Sequence, residues 1–147
     1  MKDKYIAPYI LQKEYRCKCC GKLPFDFYND EELGEINIPY VVLFNNFERI
    51  REEYGKPIPL SSCYRCEKRN KAEKGEELSL HLWGLALDLN VKTVGDVNAL
   101  NIIVRRLFPE MRMGIYTSKY TFIHLDVAYL IQPRVKEEWC KGARWYG

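Results

Sequence analysis

The sequence is poor in histidine, and it contains neither a long apolar segment nor a block of charge of one sign. Only two of its 147 residues are histidines, His81 and His124. No apolar run approaches the roughly 20 residues that a membrane-spanning helix needs, and the first ten residues lack the continuous apolar stretch of a secretory signal. We therefore expect no membrane span, and synthesis in the cytoplasm without a signal peptide.

The charge pattern argues against a nucleic-acid partner. The formal net charge is +3, and acidic and basic residues alternate in segments such as ERIREEYGK and EKRNKAEKGEE. Nucleic-acid-binding modules usually concentrate Lys and Arg on one face or stripe, whereas alternating charges are typical of solvated helix faces. We expect no nucleic-acid partner.

Hydrophobic periodicity predicts an α+β fold. Residues 39–54 repeat apolar side chains at spacings of three and four, which favours a helix, and a second helix is expected from Thr93. Residues 85–91 alternate as a strand does, and residues 113–117 and 121–127 resemble a hairpin. Without a regular strand-helix-strand rhythm, these elements predict a small, mostly antiparallel sheet flanked by helices.

One domain is expected over residues 1–147, because no linker interrupts the chain and its length suits one hydrophobic core. Residues 1–16 are expected to form an N-terminal arm. Residues 133–147 carry several aromatic side chains, which predicts a C-terminal tail packed on the core.

Both histidines lie near carboxylates in strand-like segments. His124 and Asp126 share one face of their strand, and Asp88 points away from the leucines on either side of it. A buried carboxylate needs a cation or several donors, and two imidazoles with one carboxylate leave a fourth position on zinc for water. By themselves these residues fit either a zinc site of His81, Asp88 and His124 or two hydrogen-bonded core histidines.

A longer motif surrounds the first histidine. The segment SLHLWGLALD (residues 79–88) resembles the zinc motif of the M15 peptidases in five residue types over ten positions. FIHLD (122–126), SSCYR (61–65) and CKCCG (17–21) resemble further segments of the D-Ala-D-Ala carboxypeptidase-like branch of that family. The family also contains D-Ala-D-Ala dipeptidases and phage endolysins, and it shares the hedgehog/DD-peptidase fold, which the resemblance implies for this chain.

The resemblance also implies roles for individual residues. Three of them would bind one catalytic Zn²⁺: His81, Asp88 and His124. Arg65 would hold a carboxylate or a peptide carbonyl of the substrate, to which a planar guanidinium can make two parallel bonds. Its neighbour Tyr64 is a further candidate for substrate binding. Ser79 would donate a hydrogen bond near the metal or, alternatively, cap a turn.

At two positions the sequence departs from the family pattern. Many relatives carry an acidic general base three residues before the second histidine ligand, where this chain has Thr121. Asp126 is then either the catalytic base or a residue that orients a ligand, and Glu76 or Glu77 is another candidate base. The usual glycine of the arginine segment is Cys63, which would be strained if the backbone there requires a positive φ.

Six cysteines leave three interpretations open. Cys17-x-x-Cys20 and Cys63-x-x-Cys66 have the internal spacing of a structural zinc site, and disulfides or free thiols are the alternatives. A zinc-ribbon nucleic-acid protein built on these pairs is a rival interpretation of the whole chain. No cysteine is expected to be a nucleophile, because the zinc assignment leaves no histidine to activate it.

Together these features predict a zinc metallopeptidase that hydrolyses peptidoglycan stem peptides, as a D-Ala-D-Ala carboxypeptidase or as an endolysin-like peptidase. We expect a monomer that reaches the cell wall through a phage or prophage lysis system. The alternative is a catalytically inactive zinc-binding cell-wall module on the same fold, which Thr121 supports.

Overall fold

The computed structural model describes residues 4–131, 138–139 and 141–147. Two strands, β1 (Tyr5–Ala7) and β2 (Ile10–Leu11), form a small antiparallel sheet. The larger sheet has the order β3-β4-β6-β5-β7, with β3 at Leu60–Ser62, β4 at Ala86–Asn90, β5 at Arg112–Tyr116, β6 at Phe122–Asp126 and β7 at Arg144–Tyr146. The helices are α1 (Gln12–Tyr15), α2 (Asp30–Tyr54), α3 (Glu67–Ala72) and α4 (Val94–Leu107). The predicted α+β fold is confirmed: all neighbouring strands are antiparallel except the parallel pair β5 and β7.

Helix α2 is longer than the sequence pattern predicts. It begins at Asp30, because the side chain of Asn29 accepts the backbone N–H of Glu32 at 2.8 Å and three acidic residues fill the first turn. Pro39 lies inside this helix, where the prediction placed its start. The predicted end is confirmed by Gly55, which adopts the left-handed conformation with φ 76°.

Helix α4 begins as predicted. Thr93 accepts the backbone N–H of Asp96 at 3.1 Å and donates its hydroxyl to the carboxylate of that residue. The buried side chains of α4 join those of α2 and of the sheet in one hydrophobic cluster. Because this cluster includes residues from Ile10 to Trp139, the described part of the chain has a single core. No helix in the described ranges is long and apolar enough to cross a membrane.

Strand register separates the core face of the sheet from the face that carries polar groups. Asp88 pairs with His124 across β4 and β6, and Arg112 pairs with Asp126 across β5 and β6. Cross-strand partners point to the same face, so these four side chains share one side of the sheet. The leucines between them point to the other side and are fully buried in the core.

Both ends of the described chain are tied to this core. The described part of the predicted N-terminal arm forms β1, β2 and α1, and the carbonyl of Tyr15 accepts the N–H of Tyr64 at 3.0 Å. At the other end, β7 extends the sheet and places Trp145 beside Gly114. Positions 133–137 and 140 of the predicted tail lie outside the described residues.

Candidate metal centre

The three predicted metal ligands lie together. His81 is on a short 3₁₀ helix (Leu80–Trp83), Asp88 is on β4 and His124 is on β6, and all three are buried. Oδ1 of Asp88 lies 3.1 Å from Nε2 of His81 and 3.2 Å from Nδ1 of His124. One ligand atom from each residue lies within 4.8 Å of the other two. Ligands of tetrahedral zinc at its usual bond lengths are about 3.4 Å apart, so this donor set fits zinc closely.

The second nitrogen of each imidazole has a partner on the side away from Asp88. Nδ1 of His81 lies 2.6 Å from the carbonyl oxygen of Cys63, and Nε2 of His124 lies 2.6 Å from Oδ2 of Asp126. Metal-binding histidines in proteins are usually held in this way, with one nitrogen fixed by an oxygen and the other free for the ion. The two rings are therefore held so that their other nitrogens face the Asp88 carboxylate.

The electrostatics of Asp88 and His81 favour the protonation states that metal ligands need. At His124, burial lowers the pKa of the imidazole, but Asp126 and Asp88 raise it above the usual value. Burial opposes ionisation of Asp88, but the neighbouring His81 and His124 hold the pKa of its carboxyl well below the usual value. Burial lowers the pKa of His81, even though Asp88 acts in the opposite direction. An ionised carboxylate and a neutral imidazole are the forms that coordinate a metal.

Asp126 is fully enclosed beside this cluster. Its side chain is 0% exposed and binds Arg112 at 2.9 and 2.6 Å, the N–H of Ala128 at 3.1 Å and the ring of His124. Among its neighbours, Arg112 lies between the rings of Trp139 and Trp145, at 4.2 and 4.6 Å from their centroids. These contacts favour the interpretation that Asp126 orients His124. A general base must reach the reacting proton. The buried position of Asp126 therefore does not support its prediction as the catalytic base.

Arg65 lies at the edge of the cluster. Its Nε donates to Oγ of Ser62 at 2.8 Å, and its Nη2 contacts Oδ2 of Asp88 at 3.1 Å. The backbone N–H of Arg65 donates to the carbonyl of His81 at 2.9 Å, which ties the arginine loop to the metal-binding segment. Arg65 therefore lines the same cavity as the three candidate ligands.

The other two predicted substrate-binding residues differ in position. Ser79 lines the cavity next to the cluster and also caps the 3₁₀ helix, since its Oγ accepts the N–H of His81 at 3.3 Å. Tyr64 is 7% exposed, packs beside Phe27 and is not among the residues that line the cavity. The role of Tyr64 in substrate binding therefore stays a prediction, and these contacts do not support it.

A cavity of about 630 Å³ opens beside the cluster. Besides the candidate ligands and Arg65, it is lined by side chains that sequence reasoning did not single out, among them Glu73, Arg112, Tyr116, Phe122, Glu138, Trp139, Arg144 and Trp145. One signal could have revealed part of this wall. Gly114 lies in the middle of a strand, where glycine often marks the close approach of another group, and a Cβ at this position would lie 2.2 Å from the Trp145 indole.

The cavity wall contains carboxylates that are candidates for the general base, the role for which Thr121 has no acidic group. Thr121 precedes β6 and does not line the cavity, whereas Glu76 and Glu138 do. Glu77, the second glutamate predicted as an alternative base, is not among the lining residues.

The cysteines converge differently from the prediction. The sulfurs of Cys17, Cys20 and Cys66 lie within 4.8 Å of one another. Cys63 does not belong to this group, because its thiol is buried elsewhere and its carbonyl holds His81. Cys63 is also not among the residues with a positive φ, so the strain expected from the missing glycine does not arise.

Cys17 is the centre of the cysteine group. Burial alone would raise the pKa of this thiol, but backbone N–H groups of Cys20, Cys66 and Cys19 lower it to about 7. These donors therefore favour the thiolate form of Cys17.

A buried donor set of two histidines and one carboxylate, open to a cavity, is the arrangement found in metal-dependent hydrolases. The sequence model described as Peptidase M15 matches residues 26–126, and the chain belongs to this family of zinc-dependent metallopeptidases. No curated protein and no solved structure gives a significant match to the chain. The family that the zinc motif predicted is therefore confirmed.

Proposed function

We propose that the protein is a zinc peptidase that hydrolyses peptidoglycan stem peptides. The observation that carries the proposal is the convergence of three metal-ligand side chains and the Arg65 guanidinium on one cavity. Family membership supports peptide hydrolysis. Stem peptides carry free carboxylates, for which a guanidinium beside a metal is a suitable partner.

In this proposal His81, Asp88 and His124 hold the zinc ion. Bound there, zinc would acidify a water molecule and polarise the scissile carbonyl. Cys63 and Asp126 keep the two imidazoles in the orientation that binding requires, through the carbonyl of one and the carboxylate of the other. Mutating such supporting partners typically costs 10- to 100-fold in metal affinity or activity.

Arg65 positions the substrate by a carboxylate or a carbonyl oxygen. Its Nη1 and Nη2 each carry two N–H groups, and among the described residues each makes one hydrogen bond, to Asn70 and Asp88 respectively. The remaining N–H groups are available to a ligand in the cavity. Trp145 also lines this cavity, and its ring centroid lies 5.4 Å from that of His124.

The proton acceptor is proposed to be a carboxylate of the cavity wall, Glu76 or Glu138. Both residues line the same cavity as the candidate zinc ligands. The chosen glutamate would take the proton of the attacking water and deliver it to the leaving amine. Glu76→Gln and Glu138→Gln distinguish them: the variant that removes the base should lose at least 100-fold in kcat, while the other should not.

The direct test is incubation of the zinc-loaded protein with purified muropeptides, followed by mass spectrometry of the products. Release of a terminal D-alanine would identify a carboxypeptidase, and division of the stem would identify an endopeptidase. His124→Ala should abolish cleavage. Arg65→Lys should weaken it, while Arg106→Lys, a conservative change in a surface ion pair with Glu53, is the matched control.

A second candidate is a cell-wall module that binds zinc and does not cleave. It is favoured by Thr121, which occupies the position where many relatives have an acid. The absence of any cleaved muropeptide with fully zinc-loaded wild-type protein, combined with binding to the same peptides, would decide for this module.

A further inference from the structure

Cysteine side chains from two distant segments meet at the surface of the protein. Cys17 and Cys20 lie in a tight turn in which the N–H of Gly21 donates to the carbonyl of Cys17 at 2.9 Å. Cys66 comes from the residue that precedes α3. The three sulfurs lie within 4.8 Å of one another, although nearly fifty residues separate Cys66 from the turn.

Backbone donors surround the innermost sulfur of this group. The N–H groups of Cys19 and Cys66 approach Sγ of Cys17 at 3.4 and 3.3 Å. Cys17 is 1% exposed, and a thiolate at this depth is costly unless hydrogen-bond donors or a cation lie beside it. Thiolates of a tetrahedral zinc site at the usual Zn–S length are about 3.8 Å apart, so the observed spacing requires only a small contraction around an ion.

Cys19 can supply the fourth ligand. It lies in the same turn as Cys17 and Cys20, its side chain is exposed, and its thiol interacts with that of Cys66, although its sulfur is not among the three that lie within 4.8 Å of one another. Structural zinc sites have four protein ligands, and four cysteines form one of the common sets. We propose that Cys17, Cys19, Cys20 and Cys66 bind a second zinc ion, which is structural.

This site lies where two segments next to the Arg65 loop meet. Cys66 directly follows Arg65, and Cys17 lies two residues after Tyr15, whose carbonyl accepts the N–H of Tyr64. An ion held by both segments would fasten the N-terminal segment to the loop that presents Arg65. None of the four cysteines lines the catalytic cavity, so the second zinc holds the loop in place without taking part in the chemistry.

The decisive measurement is metal content after purification under reducing conditions and dialysis against zinc-containing buffer. Wild type should retain about two zinc ions per chain, and Cys66→Ser about one. Arg106→Lys is the control, because it alters a surface ion pair with Glu53 and no cysteine, and it should retain about two. Substituting cobalt for zinc should give intense thiolate-to-cobalt charge-transfer absorption in wild type and Arg106→Lys, and much weaker absorption in Cys66→Ser.

Two results would overturn the proposal. One is a wild-type protein that binds a single ion while all four thiols react with a thiol reagent in the folded state. The other is a disulfide within the group that persists in mild reductant. His124→Ala separates this proposal from the catalytic one, because it should lose cleavage and the catalytic ion yet keep the cobalt-thiolate absorption.

Discussion

Replacing Arg112 by methionine tests how strongly the buried ion pair beside the metal centre stabilises the fold. The Asp126 side chain is 0% exposed and the Arg112 side chain is 9% exposed. Nε and Nη2 of Arg112 donate hydrogen bonds to Oδ2 of Asp126 at 2.9 and 2.6 Å. Arg112→Met keeps much of the apolar volume between Trp139 and Trp145 but removes the charge. Removing one partner of a buried pair typically costs about 3–5 kcal/mol, because the other charge stays buried without compensation.

The matched control is Arg106→Met, which breaks an ion pair with Glu53 at the surface. These side chains are 54% and 47% exposed, and pairs of this kind contribute about 0–1 kcal/mol. In a protein of this size each kcal/mol shifts Tm by roughly 2–4 °C. Arg112→Met should therefore lower Tm by roughly 10 °C, and Arg106→Met by at most a few degrees.

The assays are urea unfolding, which gives the free energy, and thermal unfolding, which gives Tm; both are followed by circular dichroism in metal-free buffer, so that zinc binding does not contribute to stability. Adding Asp126→Asn to Arg112→Met should restore part of the loss, since the double variant no longer buries an unpaired charge. An Arg112→Met protein as stable as Arg106→Met would refute the reasoning, and so would a double variant less stable than either single one.

Three further predictions concern packing, pH and the metal. Gly114→Ala should destabilise the fold by about 1–3 kcal/mol, because the new Cβ would overlap the Trp145 indole; Gly34→Ala, which meets nothing within 4 Å, should not destabilise it in the same urea titration. Hydrogen bonds from Tyr54 and Thr93, together with Lys56, lower the pKa of Asp96 from 3.8 to about 2. The ionised Asp96 therefore stabilises the folded state fully above its unfolded pKa, and this stabilisation is lost as pH falls through about 2. Asp96→Asn should therefore flatten the acid limb of a plot of Tm against pH. Chelation should lower Tm, since zinc at 100 times its Kd adds about 2.7 kcal/mol, and a calorimetric scan in which chelator leaves Tm unchanged would contradict zinc binding by the folded state.

Local sequence patterns predicted the two long helices and the three central strands, and the resemblance to the M15 zinc motif selected the candidate ligands. The alternation around Asp88 showed that this carboxylate points away from the neighbouring leucines, and the Thr93 cap located the start of α4. These features depend on interactions over a few residues, such as side-chain periodicity and caps. The start of α2 was missed because the apolar periodicity weakens before Pro39, while the Asn29 cap lies ten positions earlier in the chain.

The contents of the cavity wall could not be predicted in this way. Arg112 meets Asp126 because β5 pairs with β6 in one register, and Trp145 reaches His124 because β7 joins the sheet next to Gly114. Such pairings depend on burial between segments far apart in the chain, and no local pattern encodes them. The same limit explains the cysteines, because the spacing suggested both Cys63 and Cys66 as partners of Cys17 and Cys20, and the fold brings only Cys66 of these two to them.

The sequence by itself determined the chemical inventory of the site: two histidines, an aspartate on the polar face of a strand and an arginine after another strand. Only the tertiary structure decided how these groups are used. It enclosed Asp126 between Arg112 and His124, and it placed Glu76 and Glu138 on the cavity wall. The physical reason is that the residue types limit which groups can bind a metal or move a proton, whereas burial and strand register determine which of them reach the reacting atoms.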